Sequence, residues 1–127
     1  MKNAVEIKSH LERAIIALQA AKESLNRGKN DAAISHAFEA AFHTGSILLL
    51  DEGIEPGKQG DVITLIQQIF VEGRRLTKEQ GANLSWLFAL GKAENRGVAM
   101  PVSYEEANKA VQIAESFFEA AKVILEA

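Results

Sequence analysis

Residues 33–49 read AISHAFEAAFHTGSILL, and the reading of this stretch decides the fold. Its apolar residues fall at Ile34, Phe38, Ala41, Phe42, Gly45, Leu48 and Leu49, the spacing of one helix face. The pattern then closes up into Ile47-Leu48-Leu49-Leu50. Consecutive side chains on a helix point in different directions, so four apolar residues in a row demand cover on most sides. The stretch reads as a central helix wrapped by others. Gly45 in its interior costs about 1 kcal/mol relative to Ala, and the expected return is close approach of a neighbouring helix.

Outward from this helix the chain punctuates itself clearly. Helix one is expected from about Asn3 to Asn26, with Val5, Ile7, Leu11, Ala14, Ile15, Leu18, Ala21 and Leu25 as its apolar stripe. Gly28 ends it and Asn30 or Asp31 caps helix two, which runs to about Asp51. Gly53 to Gly60 reads as a loop, Asp61 as the cap of helix three, and Gly73 as that helix's stop. Thr77 with Gln80, and Ser103 with Glu106, have the spacing of capping boxes and open helices four and five. Helix four turns Leu84, Leu87, Phe88 and Leu90 inward, with Trp86 at a flank; helix five does so with Ala107, Val111, Ala114, Phe117, Phe118, Ala121 and Leu125. Gly97 to Val102 forms the second loop. Strand alternation is absent. Short connections between long helices give an all-α, antiparallel up-down bundle of four or five helices in one domain over residues 1–127.

Composition narrows the function classes. The 127 residues carry a net charge of −3, so any nucleic-acid contact has to be a local basic patch. There is no cysteine, which removes disulfides and thiolate metal sites. The N-terminal MKNAVEIKSHLER has no apolar signal core, and no run approaches ~18 apolar residues, so a cytoplasmic protein without a membrane span is expected.

The candidates for chemistry are few. His36 and His43 are seven positions apart on helix two, about 10.5 Å of rise. One ion needs roughly i,i+4 spacing on a helix, so the pair is expected to bind no metal, and His10 is remote in sequence. Glu39 lies beside the core stripe and needs a partner or water; it reads as a ligand contact or as an edge residue reaching solvent. The other carboxylates alternate with lysines on solvated faces. Arg74, Arg75 and Lys78 gather between helices three and four, where they either complement a helix end or hold a phosphate. No nucleophile elbow, Walker loop or dinucleotide fingerprint occurs. No cofactor is called for.

The central helix resembles the signature of HEPN domains, small helical domains often encoded beside minimal nucleotidyltransferases. Ala33-Ile34-Ser35-His36-Ala37-Phe38-Glu39-Ala40-Ala41-Phe42-His43, followed by Leu48-Leu49, is similar to the family's Ala-Ile, Ala-Tyr-Tyr-Ala, Phe-His and Leu-Leu text. Gly53 to Pro56, Lys58, Val62 and Phe70-Val71-Glu72-Gly73 follow the same order, and Ser103-Tyr104-Glu105-Glu106-Ala107 resembles the start of the family's last helix. The resemblance spans roughly Ala21 to the C-terminus and implies a commonly dimeric helical bundle.

Departures from the family carry the functional expectation. Catalytic members are metal-independent ribonucleases with Arg, four to six residues, then His on one helix. None of Arg13, Arg27, Arg74, Arg75 and Arg96 has a histidine so placed on its helix. Phe38 and Glu39 stand at the Tyr-Tyr pair, and Gln59 at the usual loop histidine. Lys92-Ala93-Glu94-Asn95 occupies the place of another subfamily's Arg-x-x-Ala-Asp-Tyr, with Leu90 where the Arg belongs. The expectation is a non-catalytic binding module, a homodimer that partners a minimal nucleotidyltransferase or holds a nucleotide or RNA phosphate. Its site would comprise His36, Glu39 and His43 with Lys92, Glu94, Asn95 and Arg96. The alternatives are a divergent ribonuclease, the toxin of a toxin–antitoxin pair, or a plain assembly protein.

Overall fold

The computed structural model describes residues 3–59, 61–95 and 102–126, all in helices and their connections, with no strand among them. Helix α1 spans Ala4–Asn26 and α2 spans Asn30–Asp51. A single turn, α3 (Pro56–Gln59), interrupts what the sequence suggested was an open loop. Helix α4 (Val62–Ile66) widens into a π-turn over Gln67–Val71. Helices α5 (Lys78–Asn95) and α6 (Tyr104–Glu126) complete the bundle. No helix among the described residues is long and apolar enough to cross a membrane. The expected loop from Gly97 lies outside the described residues up to position 101.

Helix α2 is the axis, and it touches α1, α3, α4, α5 and α6. Every residue from Thr44 to Leu50 is buried, as four apolar residues in a row require. The two hydroxyls in that stretch cost little, because Thr44 Oγ1 donates to the Ala40 carbonyl and Ser46 Oγ to that of Phe42, each at 2.8 Å. Gly45 does admit a neighbour: a Cβ there would stand 2.8 Å from Val62 Cγ1. Gly91 of α5 does the same on the next face, where a Cβ would sit 2.3 Å from Phe38 Cγ. Phe38 then meets Phe88 edge-on, with ring centroids 5.3 Å apart.

The α1–α2 hairpin keeps one register throughout. At the turn, Gly28 has φ +74° and Lys29 N–H donates to the Ser24 carbonyl at 2.9 Å. At the far end Asn3 Nδ2 donates to the Leu50 carbonyl at 3.1 Å. Neither Asn30 nor Asp31 caps α2. Lys29 precedes the helix, and Asn30 is drawn away to the Val102 carbonyl at 3.2 Å. That bond puts the starts of α2 and α6 at one end of the bundle.

Other expectations need correction or hold. Asp61 accepts from Ile63 N–H as the cap of α4. The helix ends at Val71, and the left-handed residue is Arg74 (φ +63°), not Gly73. Gly73 is needed for space, since a Cβ would fall 2.2 Å from the Ile69 carbonyl oxygen. Both capping boxes form: Gln80 N–H donates to Thr77 Oγ1 at 3.0 Å, and Glu106 N–H to Ser103 Oγ at 3.1 Å. The apolar stripe of α1 is only half used. Val5, Leu11 and Ile15 are exposed, as are Phe42 of α2 and Leu125 of α6.

Candidate functional site

The residues singled out in the sequence do not gather at one place. His36 and Glu39 pair one turn apart on α2 (3.8 Å) and face outward. Lys92, near the end of α5, donates to Asp61 Oδ2 at 2.7 Å and so ties α5 to the start of α4. That hydrogen bond holds the Asp61 carboxyl below its ordinary value, with the Ile63 N–H assisting and burial opposing. Among the described residues, none of His36, Glu39 or His43 bonds to Lys92. The side chains of Glu94 and Asn95, and all of Arg96, lie outside the described residues.

His43 has the partner that sequence spacing missed. His10 of α1 places its Nδ1 2.9 Å from His43 Nδ1, one nitrogen donating and the other accepting. The rings are tilted by 41° with centroids 5.1 Å apart. Thirty-three positions separate the two in sequence, and the hairpin register brings them together. His10 lies seven residues after Asn3, and His43 seven before Leu50, the pair already bonded at the open end. The contacts Ser24–Lys29, His10–His43 and Asn3–Leu50 share one register centred between Asn26 and Arg27, which helical periodicity alone does not supply.

The electrostatics of this seam favour uncharged rings. Burial, then the charge of His10, then that of Arg13, push His43 down to about 4. His10 is also lowered, by burial and Arg13, with Glu6 opposing. Phe42 packs edge-on against His43 with centroids 5.4 Å apart, yet is 37% exposed. A cavity of about 350 Å³ lies alongside, lined by Glu6, His10, Phe42, Ser46, Leu50 and Glu55 among others. A second, more apolar cavity of about 620 Å³ involves Ile7, Leu11 and Leu50. Among the described residues, no group of three or more His, Cys, Asp or Glu is placed to hold a metal ion.

Within the basic cluster, Arg75 has a structural role. Arg75 pairs with Glu52 and lies over the Phe70 ring, 4.3 Å from its centroid. It thereby fastens the end of the π-turn to the end of α2. Lys109 of α6 covers Trp86 of α5 at 4.3 Å, beside a groove of about 230 Å³.

Chemically, the seam offers two neutral imidazoles bonded to each other, one arginine and two carboxylates, next to exposed apolar side chains. A general base works best with a pKa near the working pH, and His43 is far from that. The family model described as HEPN domain matches residues 7–124, nearly the whole chain. No curated protein matches it. The chain belongs to the HEPN domain family.

Proposed function

We propose that this member of the HEPN domain family is a non-catalytic binding module, one domain that pairs with a second copy of itself and receives a minimal nucleotidyltransferase chain. The observation that carries the reading is the surface of α1. Leu11 and Ile15, four residues apart, form one exposed apolar strip, 38% and 43% exposed. Val5 and Ile16, eleven apart, are exposed singly on another flank, 78% and 65%. Several large apolar side chains exposed along one helix of a charged bundle suit protein contact. Apolar exposure on two flanks of α1 suits a homodimer that also takes another chain.

Phosphate binding beside α2 has less support. Lys92 is engaged by Asp61, and the nearby cavity carries Glu6 and Glu55. The test is native mass spectrometry of the protein purified from its own host without a denaturing step. A dimer with a co-purifying chain of nucleotidyltransferase size is the expected result. A bare monomer overturns the reading, and a nucleotide-sized adduct transfers it to the phosphate alternative.

A second reading, a divergent ribonuclease, draws on one observation: His10, His43 and Arg13 stand close enough for each histidine to feel the arginine's charge. Metal-free phosphodiester cleavage needs an acid, a base and such a cation. Low-salt RNA cleavage that disappears in both His10→Ala and His43→Ala would establish it. Absence of cleavage in the parent protein removes it.

A further inference from the structure

The first ten residues of α1 are held differently from the rest of the helix. The buried residues of α1 are Ala14, Ala17, Leu18, Ala21 and Leu25, and none lies between Ala4 and Arg13. Cavities of about 620 and 350 Å³ border this segment, and Leu50 of α2 lines both. Among the described residues, its side-chain hydrogen bonds to the rest of the bundle are Asn3 to the Leu50 carbonyl, just before the helix, and His10 to His43. Segments with little buried apolar contact open at the low end of a protein's stability range.

We propose that the His10–His43 contact is a proton-operated latch: it holds the N-terminal part of α1 against α2 while one hydrogen lies between the two Nδ1 atoms, and frees that part when both rings are protonated. The geometry dictates two stages. An Nδ1-to-Nδ1 contact of 2.9 Å has room for one hydrogen. A first added proton enters at Nε2 of the donor ring and leaves the bond intact. A second must enter at the accepting Nδ1, which sets two N–H groups against each other and ends the contact.

The surrounding charges act on the second step. Glu6 and Arg13 lie on the same helix as His10, Glu39 stands one turn before His43 on α2, and Glu55 lines the cavity that His10 reaches. Arg13 opposes further protonation of both rings, and Glu6 favours it at His10. The depressed value of His43, about 4 against an ordinary 6.5, fixes the direction. The closed state loses favour as pH falls below 6.5 and is lost as pH passes about 4. The latch acts within one chain, but Val5 and Leu11 of the proposed contact surface lie in the same segment, so the response to pH must persist in Ile15→Asp/Ile16→Asp to belong to the latch.

Amide hydrogen exchange of the full chain, corrected for intrinsic rates, tests the latch at pH 7 and pH 4. The expected result is protection in residues 5–13 reduced at least roughly tenfold at pH 4, with α2 and α6 unchanged. His10→Ala should show the weakened protection already at pH 7 and no further step, while His36→Ala keeps the parent's step. Side-chain NMR titration gives an independent reading, with His43 expected well below 6.5. The proposal is overturned if all helices lose protection together, if residues 5–13 do not change, if His10→Ala retains the step, or if His43 titrates near 6.5.

Discussion

Gly91 and Gly45 show how single residues set the spacing of this bundle. Where a Cβ at Gly91 would overlap Phe38, the obstacle is the base of an aromatic side chain, including its Cβ at 2.4 Å. Gly91→Ala should therefore destabilise by about 1–3 kcal/mol, read from the urea midpoint, despite better helix propensity. Gly45 meets the shorter Val62. A double-mutant cycle between Gly45→Ala and Val62→Ala should return a favourable coupling of about 0.5–3 kcal/mol, and additivity would mean that α4 shifts freely. His43 adds a pH dependence. Its value is lower in the folded chain than the ordinary 6.5, so its contribution to stability is complete above 6.5 and declines toward about 4. In His43→Gln that part of the decline between pH 6.5 and 4 should vanish in thermal melts. Close packing at Gly45 was legible from a glycine inside an apolar helix. The His10 contact was not, because helical periodicity relates residues on one helix, whereas this pair depends on hairpin register.

At the level of elements, local chemistry decided most boundaries. The Thr77–Gln80 box closes reciprocally, with Thr77 N–H donating to Gln80 Oε1 at 2.8 Å as well. Thr77→Ala should cost about 1 kcal/mol in chemical denaturation, and Thr77→Ser much less. Both boxes were readable because all their atoms lie within four residues. The start of α2 was not, because a carbonyl 72 positions away takes the Asn30 amide. The π-turn was equally hidden. Gln67 Nε2 donates to the Gly81 carbonyl at 2.7 Å and to Ser85 Oγ at 2.9 Å, ties that belong to the packing of α5 rather than to the local sequence. For α1, periodicity identified a helix correctly but could not say which apolar side chains find cover inside the chain.

For the whole molecule, that uncovered surface is the main consequence of the fold. Ile15→Asp with Ile16→Asp should leave the monomer folded, since both side chains are exposed, and shift the sedimentation profile from dimer to monomer. An unchanged dimer would move the self-contact away from α1. Architecture was legible because apolar spacing and turn residues repeat along the chain, while the site was scattered: His36 with Glu39, His43 with His10, and Lys92 with Asp61 occupy separate places. The common register of the first two helices also bears on how the chain reaches its native state. Ser24 with Lys29, His10 with His43 and Asn3 with Leu50 share one register that can zip outward from one tight turn, so the separations of 33 and 47 residues need not be closed as open loops. Folding should thus begin in this hairpin, with α5 and α6 docking afterwards on a half-built axis. Truncations in Ala17 or Ala21 to Gly would then slow refolding, whereas equally destabilising changes in α6 would chiefly quicken unfolding.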